Sequence, residues 1–253
     1  MAQKGRLATI RQTVKRDRRV TVAQLSQEYN VTEETIRRDL EKLEQEGLVA
    51  RTYGGAVLNV ENVSENIDYL RRAQTNREEK TAIGKLVAEV IPERATVGAD
   101  ASSTVMEAVR FLKDRSEITV LTNSVQIVRE LNESAINIVS TGGIVNKNTY
   151  SMQGKIVRRI LSEYYVDIIL VSCKALEMEG GIFDSNEEEA EIKRALIERG
   201  QKIILLADHS KFDRVAFVRL LDFDKIDMIV TDREPSEEWK KKLAEKGIEL
   251  LFP

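Results

Sequence analysis

The stretch Val31-Thr32-Glu33-Glu34-Thr35-Ile36-Arg37-Arg38-Asp39-Leu40 decides how the first part of this chain folds. Thr32 is a residue type that caps a helix start, because its hydroxyl can accept from an otherwise orphaned backbone amide. The helix it opens is expected to run to about Glu46, where Gly47 ends it. At roughly 100° per residue, Ile36, Leu40 and Leu43 share one side. Arg38 points almost directly opposite. Thr35 and Lys42 lie beside it, and Arg37 sits on the flank. An exposed arginine near a helix start can fork onto guanine in the major groove, while Lys and Thr reach phosphate or base edges. The plain alternative is a solvated face paired by Glu33, Glu34 and Glu41.

The flanks extend this reading. Leu7, Ile10 and Val14 recur at three- and four-residue steps, so residues 3–17 read as a first helix. Arg16-Asp17-Arg18-Arg19 breaks that pattern. Thr21-Val22-Ala23-Gln24 fits a capping box and opens a second helix to about Tyr29, with Val22 and Leu25 inward. Asn30 suits a tight turn because it tolerates left-handed geometry. The result is helix, short turn, helix. Downstream, residues 48–57 read as a strand, a glycine turn and a return. Beside a helix-turn-helix this is a wing, with Arg51 and Tyr53 as its contacts. The plain alternative is a hairpin that only closes a small core. Lys15, Arg16, Arg18 and Arg19 add positive charge. The candidate DNA-binding set is Thr21, Thr32, Thr35, Arg37, Arg38, Lys42, Arg51 and Tyr53.

The T-x-R-R-D-L core, then Leu43, Gly47-Leu48 and Tyr53-Gly54-Gly55-Ala56, resembles the N-terminal signature of DeoR-type bacterial transcription regulators. The resemblance implies that Arg37 and Arg38 lie on the recognition helix.

Composition narrows the rest. The chain has 253 residues, 42% hydrophobic and 32% charged, enough for a packed core. One cysteine excludes a disulfide scaffold and a cysteine-rich zinc site, and one histidine excludes a multi-histidine metal site. No apolar run approaches a membrane span, and the first residues lack a signal-peptide core. A cytoplasmic protein with no membrane partner, no metal and no cofactor is expected. Residues 1–56 carry a net charge of +3 and the remainder −6, which suggests an anionic partner for the head.

Residues 58–78 are polar and without apolar period, so they read as a linker between a winged helix-turn-helix over 1–57 and a second domain over 79–253. A helix is expected from about Glu79 to Ile91. Thereafter short apolar strands alternate with helices: strands near 95–99, 118–121, 136–139, 166–171, 202–207 and 226–230, helices near 155–163, 187–199 and 236–246. Such alternation means a doubly wound α/β domain with a mostly parallel sheet. Ligands of such sheets bind outside the strand C-termini. Ser102-Ser103-Thr104 there begins a helix, where amides and hydroxyls can surround a phosphate. Thr122, Asn123 and Ser124 add donors, Gly142-Gly143 allows close backbone approach, and Lys211 adds charge. Taken singly these are ordinary caps and turns. The G-x-G-x-x-G and P-loop patterns are absent, which argues against NAD and ATP.

Asp100-Ala101-Ser102-Ser103-Thr104, Thr122-Asn123-Ser124, Gly142-Gly143, Gly154 and Asp208-x-Ser210-Lys211-Phe212 resemble the C-terminal sensor domain of the same family, whose fold is similar to ribose-5-phosphate isomerase. The resemblance implies a phosphorylated sugar effector, with Ser102, Ser103, Thr104 and Lys211 near the phosphate and Asp100 also in the effector site. Lys174 and Asn186, within Ser172-Cys173-Lys174 and Asp184-Ser185-Asn186, are variants similar to the fucose-operon regulator subgroup. They point to a 6-deoxyketose 1-phosphate. Glu189 would bind sugar hydroxyls. The family likeness implies an operator-bound homodimer or homotetramer; repression is the commoner behaviour and activation stays open.

The alternative is a sugar-phosphate isomerase or hydrolase with an accessory head. An isomerase needs a positioned base. The strand end Val171-Ser172-Cys173-Lys174-Ala175 has no carboxylate, whereas isomerases of this fold carry acidic groups there. Glu187, Glu188, Glu189 and Glu191 read first as a solvated helix start. Asp208-His209-Ser210 lacks triad geometry, because neighbours on an extended segment point apart. Cys173 reads as a buried small residue. No catalytic residue is expected.

Overall fold

Apolar residues three and four apart along three short helices meet in one small core. These are α1 (Gln3–Asp17), α2 (Val22–Tyr29) and α3 (Glu33–Gln45). Ile10, Val14, Leu25, Ile36, Leu40 and Leu43 are all buried there, each contributing about 1.5–3 kcal/mol of transfer free energy. Thr21 caps α2 by accepting from the Gln24 amide at 3.2 Å. Asn30 closes it in the left-handed region at φ 50°.

The wing has one strand more than its sequence shows. The Arg16–Arg19 stretch, read as a break, continues into β1 (Arg19–Thr21). It pairs antiparallel with β3 (Gly55–Leu58), which pairs in turn with β2 (Val49–Thr52), giving the order β1-β3-β2. Gly55 lies in that central strand because a Cβ there would sit 2.1 Å from the Val20 carbonyl oxygen. Beneath the sheet and helices, Arg6 Nε donates to Asp39 Oδ2 at 2.6 Å, both side chains buried.

The structure, a computed structural model, describes residues 3–17, 19–45, 49–52, 54–58 and 69–253. Its contacts divide the chain into two units, Met1–Val63 and Ser64–Pro253. Gly47, Leu48, Tyr53 and Arg18 lie outside the described residues, as does the Lys15 side chain.

The second unit begins with α4 (Tyr69–Gln74) and α5 (Arg77–Val90), then alternates. Next come β4 (Thr96–Ala99), α6 (Ser103–Arg110), β5 (Thr119–Thr122), α7 (Val125–Leu131) and β6 (Asn137–Ser140). A hairpin of β7 (Ile144–Asn146) and β8 (Ser151–Gln153) precedes α8 (Lys155–Ser162). There follow β9 (Val166–Ser172), β10 (Ala175–Glu177), β11 (Gly181–Asp184), α9 (Glu187–Ile197), β12 (Gly200–Leu206), β13 (Val218–Leu221), β14 (Met228–Val230), α10 (Glu237–Glu245) and β15 (Glu249–Leu251). Seven strands form a parallel sheet in the order β15-β14-β12-β9-β4-β5-β6. Alternate side chains serve opposite faces. Ile168, Leu170, Ile204 and Leu206 join a core with α5, α6 and α7. Ile169, Val171, Ile203 and Leu205 join another with α8, α9 and α10. The domain is therefore doubly wound.

Three features depart from the sequence reading. The stretch expected as a linker over 58–78 is helical from Tyr69 onward, and Tyr69 is buried edge-on against Tyr150 at 5.8 Å. A single aromatic anchor in a polar segment gives no period to detect. The β7–β8 hairpin and the antiparallel sheet β10-β11-β13 are strands of three or four residues, too short for a pattern. No helix among the described residues is long and apolar enough to cross a membrane.

Lys80 lies on the buried side of α5, with Ile83, Gly84 and Val87. Its ammonium donates to the carbonyls of Arg72 and Thr75 and so ties α4 to α5. Burial pushes its pKa down to about 8; the Asp208 carboxylate opposes that, while Lys211 and Arg72 add to it. The folded chain thus releases this proton near pH 8, and the unfolded chain near 10.5. Between these values the unfolded chain holds more protons, so rising pH favours folding. Wild type should gain stability over Lys80→Met from pH 8 to 10.5 and not below, by urea unfolding. A difference that is flat with pH would contradict this. In the head, Asp39→Ala leaves Arg6 buried without its carboxylate and should cost about 3–5 kcal/mol. Hydrogen exchange of α1 and α3 amides measures it, and a loss below about 1 kcal/mol would show the pair to be dispensable.

Candidate functional site

A parallel sheet collects all its strand C-termini along one edge. Here Asp100 follows β4, Asn123 follows β5, Thr141 follows β6 and Cys173 follows β9, and Asp208 lies two residues past β12. Asp100 organises the first turn: Oδ1 accepts from the Ser102 amide at 2.9 Å and Oδ2 from the Ser172 amide at 3.1 Å. Ser102 then caps α6, its hydroxyl accepting from the Val105 amide at 3.2 Å. The amides of Ser103 and Thr104 are the first two of the helix and have no intrahelical acceptor. With the positive end of the helix dipole, they form an anion-facing turn.

The next strand end is braced. Thr122 Oγ1 donates to the Ala99 carbonyl at 2.7 Å and accepts from the Ser124 amide at 3.0 Å. Ser124 caps α7. Asn123 Nδ2 donates to the Met152 carbonyl at 3.2 Å, whereas Asn123 Oδ1 is buried with no partner among the described residues. Gly143 adopts φ 117°, and a Cβ there would meet the Gln153 carbonyl oxygen at 2.8 Å. That glycine lets the β6 end lie against β8. Gly142 also has positive φ and faces open space.

Lys193 of α9 is the charge at the centre. Its ammonium lies 2.6 Å from Asp184 Oδ2 and 3.2 Å from Asp100 Oδ2, and donates to the Ser172 carbonyl at 2.7 Å. Burial pushes its pKa down, but Asp184, Asp100 and Glu189 more than offset this and hold it above the ordinary lysine range. Asn186 caps α9, its Oδ1 accepting from the Glu189 amide at 2.9 Å. Lys174 lies two residues past β9, its amide donating to the Phe183 carbonyl at 2.9 Å. Burial raises the Cys173 thiol to about 12, so it is an inert neutral group.

After β12 a 3-10 turn spans His209–Lys211. Asp208 Oδ1 accepts from Asn76 Nδ2 at 3.0 Å and from the Ser210 amide and hydroxyl. Burial raises the Asp208 carboxyl, but Lys211, Ser210 and Asn76 outweigh it and hold it below the ordinary carboxylate range. His209 Nδ1 instead meets Asp232 Oδ2 at 2.9 Å. The imidazole and the Ser210 hydroxyl thus serve different carboxylates, and no triad forms. Glu79, His209 and Asp232 cluster within reach of a common point. Arg233 already stands 3.1 Å from Asp232 and 3.9 Å from Glu79.

On the head, Arg37 and Arg38 are exposed on α3, paired with Glu33 at 2.7 Å and Glu34 at 3.4 Å. Lys42 is exposed one turn on. The hydroxyls of Thr32 and Thr35 bond each other at 2.9 Å, and Thr21 is engaged with Gln24. Arg51 turns back onto α3, donating to the Arg37 carbonyl at 3.2 Å. Tyr53 lies outside the described residues.

Sequence reading passed over Lys193, Lys80, Ser151, Gln153 and Asn76. The first two carried a signal: each is the one lysine on a buried helix stripe, among Ala190, Leu196 and Ile197 or Ile83 and Val87. A charge there must meet a buried partner. The others sit on short strands and turns without pattern.

Residues 6–62 match the family model described as the DeoR-like helix-turn-helix domain, and residues 75–233 the DeoR C terminal sensor domain. The chain is 36% identical to the HTH-type transcriptional repressor GlcR of Bacillus subtilis, over 99% of this chain and 96% of the relative. It is 32% identical to the L-fucose operon activator of Haemophilus influenzae, over 94% and 96%. Ribose 5-phosphate isomerase A of Methanocaldococcus jannaschii is a more remote likeness, with a TM-score of 0.42 and 16% identity over 55% of each chain. The chain belongs to the DeoR family of DNA-binding transcriptional regulators, with a helix-turn-helix head and a C-terminal sensor domain.

Proposed function

We propose that this regulator represses a sugar-catabolism operon and releases its operator when a phosphorylated sugar binds the C-terminal domain. Residues 1–57 read the operator and residues 79–253 house the effector. The observation that carries this reading is the convergence at one sheet edge of free helix-start amides, capped hydroxyl turns and Lys211. Lys211 follows β12, whose neighbour in the sheet, β9, leads into Cys173. Phosphate would sit at Ser102, Ser103 and Thr104, with Lys211 as its counter-charge. Thr122, Asn123, Ser124, Gly142 and Gly143 would line the adjoining wall. Lys174, Asn186 and Glu189 would meet the sugar.

A relative named as an L-fucose operon activator supports a sugar operon, and one named as a transcriptional repressor supports repression. The Lys174 and Asn186 variants favour a 6-deoxyketose 1-phosphate. A homodimer or homotetramer would pair two heads on two half-sites. The protein would work in the cytoplasm, beside the DNA and the phosphorylated sugars. On the head, Arg38 would read a base, Arg37, Thr35 and Lys42 would reach the backbone or base edges, and Thr21, Thr32, Arg51 and Tyr53 would support the docking.

The test is binding to its own upstream DNA at fixed salt, with sugar phosphates added singly. One ester should lower operator affinity; DNA binding indifferent to every ester would refute the effector reading. Arg38→Ala should weaken specific operator binding by about 1–3 kcal/mol with ester affinity unchanged. Unaltered operator affinity would remove Arg38 from the interface. Lys211→Ala should raise the ester concentration needed for release and spare ester-free DNA binding. An unchanged dose response would place the phosphate elsewhere.

A further inference from the structure

The short strand β8 threads between the strand ends and α9. Its Met152 amide donates to the Asn123 carbonyl at 2.7 Å, and Ser151 forms an antiparallel bridge with Ser124. Gln153 lies against Gly143. The hairpin therefore inserts into the middle of the candidate site.

Its side chains converge on Glu189. Ser151 Oγ donates to Glu189 Oε1 at 2.5 Å, and Gln153 Nε2 donates to the same oxygen at 3.0 Å. Thr149 Oγ1 lies 2.8 Å from Ser151 Oγ. All four residues are buried. Two donors on one carboxylate oxygen fix the rotamer and leave Oε2 accepting from none of the described residues. Asn123, bonded to the same strand β8, is 4% exposed, and its Oδ1 is a buried acceptor without a partner among the described residues. Its amide nitrogen is spent on β8, so the oxygen cannot flip away without losing that bond. A buried acceptor left unmet costs about 1–3 kcal/mol, which a hydroxyl donor from a ligand would offset.

This end of the site thus offers acceptors, one of them charged, while the α6 start and Lys211 offer donors and positive charge. A phosphate is repelled from Glu189 and drawn to α6; hydroxyls are drawn the other way. Resting on the sugar-phosphate reading above, we propose that Glu189 Oε2 and Asn123 Oδ1 receive the ligand's hydroxyls, and that Thr149, Ser151 and Gln153 are positioning residues that aim Glu189 and so set which polyhydroxylated phosphate ester is accepted. Sites built to hydrogen-bond a hydroxyl reject analogues that lack it far more strongly than apolar pockets discriminate by size.

The test is calorimetric titration of the full chain with fuculose 1-phosphate, fructose 1-phosphate, glucose 6-phosphate and methyl phosphate, which carries no hydroxyl. The tightest sugar phosphate should bind at least about 100-fold better than methyl phosphate. Glu189→Gln and Gln153→Met should each shrink that ratio at least about tenfold. Two independent variants guard against one failing to fold, and a merely structural role would not change a ratio between two ligands. If both variants keep the wild-type ratio, or the sugar phosphates bind no better than methyl phosphate, this assignment is overturned and phosphate recognition stands. If no ester binds at all, the effector reading falls, and this assignment with it.

Discussion

An ammonium group enclosed among three strand ends governs the second domain. Lys193 meets Asp184 and Asp100 and the Ser172 carbonyl, so one charge ties α9 to the ends of β4, β9 and β11. Burying such ions costs several kcal/mol each, and their attraction returns this only when geometry and further hydrogen bonds are good. Both carboxylates meet that condition. Asp100 also holds the Ser102 and Ser172 amides, and Asp184 the Ser185 amide. The pairing therefore adds little as net stability and much as placement. The turn that starts α6, and with it the two free amides, is where it is because Asp100 cannot move without uncovering a buried charge.

The head works by a parallel constraint with the opposite emphasis. Arg6 and Asp39 pin α1 to α3 from within, and Arg51 fastens the wing to the Arg37 carbonyl. Arg37 and Arg38 on the outer face carry only exposed glutamate partners. Exposed pairs of that kind are worth about 0.3–0.5 kcal/mol, so little energy holds these two guanidinium groups in place. The motif Thr-x-Arg-Arg-Asp-Leu thus turns its arginines outward to solvent and its aspartate inward to Arg6.

What the sequence made legible follows from period. The helix stripes of α1, α3 and α5 and the apolar runs of β9 and β12 announce themselves, as do Thr21, Asn30 and Ser102 at helix ends. The clusters after β4, β5, β6 and β12 could be expected at one edge, because a parallel sheet allows no other arrangement. Two kinds of feature stayed hidden. Strands of three residues, β1, β7, β8 and β10, are too short to carry alternation, so Ser151 and Gln153 came unannounced. Long-range pairings such as Asn76 with Asp208, 132 residues apart, leave no local trace.

The central claim is that a ligand at the strand ends and DNA at α3 are thermodynamically coupled. Coupling of binding free energies is reciprocal. The most direct test therefore measures ester affinity rather than operator affinity: titrate the effective phosphate ester into the full-length protein, free and saturated with operator duplex, at one salt concentration. The account predicts weaker ester binding on the DNA-bound form, by the same factor by which the ester weakens operator binding. Equal ester affinity with and without DNA would contradict it.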